Sequence, residues 1–543
     1  MQQQAIETAA PPKSGGRLPA SSAVFWARLL AVDFRRPLPA LLLGIAFVLS
    51  RLPWVGLGYG ADPDAWRVAM SARYLLDHAA YLPSRLPGYP VHDIAMAALI
   101  WGGWTLTNLA SVAVSLAGVL IFARIVHRLQ LPVPAALTLT FAFLPLTWST
   151  SAATLDYSWA LTLLLGAYLA VQGRRPVVAG VLLGLAGGCR ISTLVFGLPL
   201  ALLLVRGDYP TPRPPSLGWQ GETTDGRNPV TAEAGRAASA TGEGSVPDPF
   251  PAHRSPLSAL RFVAATGVSW IVVFAPVWVR YGSQFWNFYD VRPSWGEFAH
   301  ALTEQSIGLA PLVVVVVALA CSWPRLRRLP RLLRTDAQVN AWTMVVLLTL
   351  FIYLRLPLQT YYLMPAAPFA LLLFARLLRP RLLLVVCVAL VLGGFIDFYT
   401  TSASGWRSPS ALLHLRPQRG LVLQDYSLRR DRLTLVRRLR QVQLPEHSVI
   451  TTGFYFPMVA ELYHSQLRLT LPEGYLFQVG PLTDNARAVD RRDVVYVWLL
   501  TQGDARDLIR QGYAIYTLDF SRATQRPIAS RIYLPENERF GIH

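Results

Sequence analysis

The sequence predicts an α-helical polytopic membrane protein of about eleven spans, followed by a small C-terminal α/β domain. Three observations predict it. The 543 residues are 53% hydrophobic and only 15% charged, whereas soluble domains carry roughly 25% charged residues. The apolar residues gather into blocks long enough to cross a bilayer. From residue 404 onward, short β-prone runs alternate with helically spaced ones instead.

The spans run over about 37–57, 96–126, 133–150, 157–173, 176–189, 191–206, 258–280, 307–323, 339–355, 359–378 and 382–399. The stretch 91–126 is long for one helix of about 20 residues, so its start reads as interfacial. The pair 176–189 and 191–206 reads as two spans, or as one kinked helix plus a re-entrant piece. Arginine placement sets the orientation. Arg28, Arg35 and Arg36 precede the first span, and Arg124 and Arg128 follow the second. Arg174 and Arg175, then Arg325 to Arg334, then Arg376, Arg379 and Arg381 follow later ones. All these clusters share a side if segment 1–36 is cytoplasmic, as the positive-inside bias requires. The expected location is therefore the cell inner (plasma) membrane, with the C-terminal domain extracytoplasmic. Segment 1–36 shows no cleavable signal pattern, so the first span reads as an uncleaved signal.

The formal charge is +19, nearly all of it arginine, with Lys13 the one lysine. These arginines sit between apolar runs, which suits membrane topology and not nucleic acid. Cys189, Cys321 and Cys387 are far apart and form neither a metal spacing nor a disulfide framework.

Residues 207–256 form a Pro-, Gly-, Ser- and Thr-rich island too polar to build a core, so a disordered cytoplasmic linker is expected. It separates an N-terminal transmembrane module, 37–206, from a C-terminal one, 257–400. The two show no sequence repeat, which weighs against an inverted-repeat transporter. In the tail, 404–543, strands are expected over 420–426, 448–453, 493–500 and 513–518. Helices are expected over 429–442, 457–463 and 504–511, and the sheet is expected to be largely parallel.

The first outer loop, 58–95, carries the most informative stretch, Tyr59-Gly-Ala-Asp-Pro-Asp-Ala-Trp-Arg67. Its two carboxylates, Asp62 and Asp64, flank a proline that is expected to prevent a helix and leave both side chains on an extended turn. The plainer alternative makes them caps of a following helix. The same face collects Arg67, Arg85, Tyr89, His92, Asp93, Asp156, Arg190, the loop Tyr281 to Trp295, Arg355, Gln359, Tyr361, Tyr362 and Asp397. Asp156, Arg190 and Arg355 sit in short loops where topology needs no charge, so they read as functional.

Three further features follow the acidic pair: an amphipathic stretch from Trp66 to Leu76, the run Ser84-Arg-Leu-Pro-Gly-Tyr-Pro-Val91, and Gly184-Leu-Ala-Gly-Gly-Cys-Arg-Ile-Ser192. Then comes Tyr361-Tyr-Leu-Met-Pro-Ala-Ala-Pro-Phe369. In this order they resemble the GT-C superfamily of polytopic glycosyltransferases, in particular its protein O-mannosyltransferase-like and ArnT-like branch, over roughly residues 37–400. The resemblance implies a polyprenyl-phosphate sugar donor and a glycan, lipid or protein acceptor on the extracytoplasmic side. It also implies an essential acid in the first outer loop, a role that falls to Asp62 or Asp64. The chemistry is consistent with that. A carboxylate can take the acceptor proton, and arginines can neutralise a departing phosphate. Arg190 and Arg355 are the expected phosphate ligands, with Arg85 a third. Tyr89, His92, Asp156, Tyr361 and Tyr362 are expected to contact substrate. The acidic pair also suits Mg²⁺ or Mn²⁺ as an oxygen-ligated ion.

Plainer readings stand beside these. Arg85 would bind lipid headgroups, Arg190 would pair structurally with Asp156, and Tyr361 and Tyr362 would anchor at the interface. Rival functions are a lipid-linked sugar transporter or flippase, an oligosaccharide ligase or polymerase of the cell envelope, and a non-catalytic assembly protein.

Overall fold

The computed structural model describes residues 32–85, 87–206, 256–282, 295–303, 305–355, 360–400, 415–439, 444–470, 487–498, 500, 502–520 and 527–531. The expected linker lies outside the described residues up to Pro256, as do Gln359 and most of the loop from Tyr281 to Trp295. The chain is mostly helical, with a small sheet near its C-terminal end.

Helix α1 (Pro37–Val55) opens on proline, which lacks the N–H that a first helical residue would leave unpaired. Leu43, Phe47, Arg51 and Trp54 are buried on one face, while Leu38, Leu41, Leu42, Ile45, Leu49 and Leu52 are exposed on the other. That split suits a helix with protein on one side and lipid on the other. After the loop come α2 (Pro63–His78) and α3 (Pro90–Ala97). A short 3₁₀ turn leads into α4 (Gly103–Arg128). The interfacial start expected for 91–126 is thus a separate helix, α3.

The stretch expected as span 133–150 is two helices, α5 (Pro134–Phe143) and α6 (Pro145–Ser151), broken at Leu144. Pro145 cannot continue the ladder, so carbonyls in the last turn of α5 lose helical donors. Arg51 reaches across and donates to one of them, the Ala142 carbonyl. Its guanidinium lies 3.7 Å from the Phe47 ring centroid and 4.2 Å from that of Trp148. Helices α7 (Tyr157–Gln172) and α8 (Pro176–Cys189) follow, and a 3₁₀ turn over Ile191–Phe196 precedes α9 (Gly197–Arg206). In the second half, α10 (Pro256–Tyr281) packs closely along α8 at Gly180 and Gly184. Next come α11 (Trp295–Thr303), α12 (Leu309–Cys321), α13 (Trp323–Leu326) and α14 (Leu329–Thr335). Then come α15 (Ala337–Arg355), α16 (Ala366–Leu377) and α17 (Pro380–Leu392).

Among the described residues, four helical stretches are long and apolar enough to cross a membrane: Pro37–Val55, Ile100–Arg128, Pro256–Tyr281 and Ala337–Leu354. Leu309–Cys321 with Trp323–Thr335 makes a fifth if that pair, bent by 71°, counts as one. The remaining apolar helices are shorter, at 10–17 residues, because prolines and glycines interrupt them.

Several expectations are corrected. Span 382–399 ends early: α17 stops before Gly393, and β1 (Ile396–Thr400) pairs antiparallel with β2 (Leu415–Arg419). Asp397 is absorbed structurally, accepting from the backbone N–H groups of Leu309 (2.9 Å) and Ala310 (2.8 Å) at the start of α12. The strand expected over 420–426 is the start of α18 (Leu421–Leu439). Val422, Arg429, Leu433 and Val436 are buried along one face, a helical spacing that already begins at Val422.

The remaining elements are β3 (Ser448–Thr451), α19 (Phe456–Leu462), β4 (Arg468–Thr470), β5 (Arg487–Val489) and β6 (Val495–Val497). They are followed by α20 (Gln502–Arg510), β7 (Ala514–Phe520) and β8 (Pro527–Arg531). The sheet order is β4-β5-β6-β3-β7-β8. Only β6-β3-β7 is parallel; the other pairings are antiparallel, so the sheet is mixed and not largely parallel. The β5–β6 hairpin turns on Asp490, whose carboxylate accepts from the Arg492 and Val494 N–H groups (2.8 and 3.0 Å), with Asp493 at φ 60°. Val422, Leu433, Phe456 and Met458 share one buried apolar cluster with Trp54 and Trp66 of the N-terminal half. The core therefore runs unbroken from the helical part into the tail.

Candidate functional site

The acidic loop is built at the start of α2. Asp62 is its N-cap: the backbone is extended (φ −75°, ψ 132°), and the carboxylate accepts from the Asp64 N–H at 2.9 Å. Pro63 takes the first helical position, where its fixed φ suits a helix. The proline therefore starts a helix here, correcting the expected extended turn. Asp64 lies in the first turn and is buried.

From Asp64 a chain of buried charges runs inward. Arg85 donates to Asp64 Oδ2 at 2.6 Å and, through its other terminal nitrogen, to Asp156. Arg190 donates to the second oxygen of Asp156 at 2.6 Å. Arg67 approaches Asp64 Oδ1 at 3.5 Å. Acids and arginines alternate, and all are 9% exposed or less. Burial alone would raise the Asp156 carboxyl, but the Arg190 and Arg85 guanidiniums outweigh it and hold it down at about 2. Asp62 goes the other way: burial and the neighbouring Asp64 charge push it up to about 6, against the Asp64 N–H, Arg85 and Arg432.

Aromatic rings enclose the arginines. The Arg190 guanidinium lies 3.7 Å from the Tyr157 ring centroid, 4.2 Å from Tyr362 and 5.8 Å from Tyr89. Arg85 lies 4.3 Å from Tyr89. Arg190 can hold its side chain there because the chain leaves helix α8 at this residue in an extended conformation (φ −160°). Tyr361 packs 5.4 Å from Tyr157. Arg190 also lines a cavity with Tyr157, Leu161, Phe196, Ile352, Tyr362 and Met364.

The sequence-selected residues thus largely converge. Asp62, Asp64, Arg85, Tyr89, Asp156, Arg190, Tyr361 and Tyr362 form one contiguous group. The structural pairing of Arg190 with Asp156, held open above, is realised. His92 is wholly buried, edge-on to Trp159 at 5.7 Å, and neither ring nitrogen has a hydrogen-bond partner among the described residues. Burial brings it down to about 4, which leaves it neutral near pH 7. Asp93 supports the loop: it accepts from Tyr81 Oη (2.8 Å) and Ser84 Oγ (3.0 Å), just before Arg85. Arg355 ends α15, and its side chain lies outside the described residues.

Mg²⁺ or Mn²⁺ fits this donor set poorly. Arginines approach both oxygens of Asp64, and no group of three or more His, Cys, Asp or Glu among the described residues could hold a metal ion. Residues of the tail that the sequence did not single out complete the surroundings. Arg432 donates to the Ala61 carbonyl, Glu461 pairs with Arg73, and Trp498 lies on Arg67. No local signal marks them: Arg432 is one of many arginines on α18, and Glu461 and Trp498 stand in no motif.

No family model, curated protein or solved structure matches this chain.

Proposed function

We propose that the protein is an integral membrane glycosyltransferase of GT-C-like architecture, with about eleven spans in the cell inner (plasma) membrane. Its N-terminus faces the cytoplasm and its C-terminal domain lies outside. It moves a sugar from a polyprenyl-phosphate donor to an extracytoplasmic acceptor. The observation that carries the reading is the juxtaposition of Asp62, pushed up to about 6, with the arginine–carboxylate chain ending at Arg190 between the Tyr157 and Tyr362 rings. A carboxylate titrating near neutrality is suited to general-base work, and a guanidinium with donors to spare suits a departing phosphate.

Of the two acids, Asp62 is the better base, because Asp64 is committed to Arg85 and Arg67. In this reading Asp62 takes the proton of an acceptor hydroxyl as that oxygen bonds to the anomeric carbon. The bond from that carbon to the donor phosphate oxygen breaks, and its electron pair leaves on the phosphate. Arg190 meets the departing charge. One of its nitrogens serves Asp156, and a guanidinium carries five N–H donors in all. Asp64 and Asp156 keep Arg85 and Arg190 in place and offset their charge.

The test is transfer from a polyprenyl-phosphate sugar by purified protein carrying Asp62→Asn or Asp64→Asn. Full activity in correctly folded Asp62→Asn would overturn the assignment of Asp62 as the base, and full activity in both variants would overturn the site. Movement of the lipid-linked sugar across vesicles, with no glycosidic product, would favour a flippase instead.

A further inference from the structure

We propose that the C-terminal domain forms one wall of this site, and that Arg432 on α18 is a positioning residue for the acidic turn. The catalytic half of this rests on the function proposed above; the structural half does not.

Tail residues grip the turn from several directions. Arg432 donates to the carbonyl of Ala61, the residue immediately before Asp62. That contact spans 371 positions of sequence, and the Arg432 Nε is buried. Glu461, on α19, is 4% exposed and accepts from Tyr59 Oη at 3.3 Å and from Arg73 Nε at 3.0 Å. Trp498, just beyond β6, stacks 4.3 Å from the guanidinium of Arg67, which in turn approaches Asp64. Behind them, Arg429 is 2% exposed and donates to the Ala152 (2.5 Å) and Ser149 (2.7 Å) carbonyls. That segment reaches back to the same turn, because the Thr154 N–H donates to the Tyr59 carbonyl at 2.8 Å.

Two features distinguish this from incidental packing. Buried charges are costly unless fully paired, yet the tail commits Arg429 and Glu461 to a surface that apolar side chains could cover more simply. The contacts of Arg432, Glu461 and Trp498 also fall on groups bracketing the two acids: the Tyr59 hydroxyl and the Ala61 carbonyl before them, the Arg67 and Arg73 guanidiniums after. A turn whose conformation sets where a carboxylate points is thus held by a domain distant in sequence. Pre-organisation of that kind matters most at a reacting group.

The experiment uses the full-length protein in lipid nanodiscs and compares wild type with Arg432→Gln and Arg432→Lys. Hydrogen exchange is followed on peptides covering 58–67, with α4 and α8 as references. Loss of a hydrogen bond from a charged donor is expected to speed exchange in 58–67 about ten- to a hundredfold in Arg432→Gln, leaving the reference helices unchanged. Arg432→Lys, which keeps a charged donor, is expected to restore most of the protection. In the transfer assay Arg432→Gln should lower kcat while the KM for donor holds. Wild-type protection in Arg432→Gln, or equal loosening of the reference helices, overturns the wall. Faster exchange in 58–67 with unchanged kcat overturns the positioning role. If wild type itself transfers no sugar, the function proposed above fails while the exchange result still decides the wall.

Discussion

Asp156→Asn tests the centre of the site. Asp156 is wholly buried, and its two oxygens are divided between Arg85 and Arg190. Asparagine keeps the shape but replaces one oxygen with an NH₂ group facing a guanidinium. At an effective dielectric of 20, unit charges about 4 Å apart attract by about 4 kcal/mol, so two pairs give about 8 kcal/mol gross. Relief of the desolvation of the carboxylate returns part of this, and the expected net loss is about 3–5 kcal/mol, the usual cost of leaving a buried charge unpaired. The assay is reversible unfolding in mixed detergent–SDS micelles, read by the fluorescence of the 16 tryptophans. The double variant with Arg190→Gln completes a cycle, and its coupling energy is expected to exceed about 1.5 kcal/mol. If Asp156→Asn unfolds within about 0.5 kcal/mol of wild type, the charge chain does not hold the site and the reasoning fails.

Asp62 gives a signed pH prediction. A base with its carboxyl at about 6 works when deprotonated, so transfer is full above that pH and falls as pH drops through it. An acid limb centred near 4 would contradict this. The stability sign follows separately. The folded value lies above the ordinary 3.8, so the charged form is disfavoured in the fold, and Asp62 weakens stability as pH rises through about 6. Asp62→Asn keeps the helix cap, because asparagine caps as well as aspartate. It should therefore lose transfer while unfolding no earlier than wild type at pH 7.5, and a variant that unfolds first would make the Asp62 charge structural. Arg51→Ala removes the donor to the Ala142 carbonyl and its packing on Phe47 and Trp148, with an expected loss of about 2–4 kcal/mol in the same unfolding assay. An unchanged midpoint would show that the break between α5 and α6 needs no clamp. Gly184→Ala places a methyl 2.6 Å from Ser269 Cβ and 2.8 Å from the Thr266 carbonyl, so α8 and α10 must separate, at about 1–3 kcal/mol. Wild-type stability there would mean that the two helices are not closely packed.

Much of the fold is legible because it rests on local properties. Apolar blocks, prolines at helix starts and the helical spacing of Leu433 and Val436 declare themselves within a few residues. The strands not expected, β1, β2, β4, β5 and β8, are three residues long or pair on one side only, and over three to five residues alternation cannot be told from a loop. The strand expected over 420–426 rests on the β-prone Val422 and Tyr426, whose packing against the tryptophan-rich core overrode propensity.

Residue type and position between apolar runs were enough to select Asp62, Asp64, Arg85, Asp156 and Arg190 as one group, because charges beside apolar spans are costly and therefore conspicuous. Which charge meets which was decided only by folding. Arg85 lies 21 positions from Asp64 and 71 from Asp156, and Arg190 lies 34 from Asp156. No local pattern encodes such pairings; they depend on how α2, α7 and α8 pack. Folding also separated the roles of the two acids, committing Asp64 to arginines and leaving Asp62 as a raised, half-buried cap. It brought Arg432 from the far end of the chain to the turn that carries them, since a contact across 371 residues exists only once a shared core has drawn both ends together.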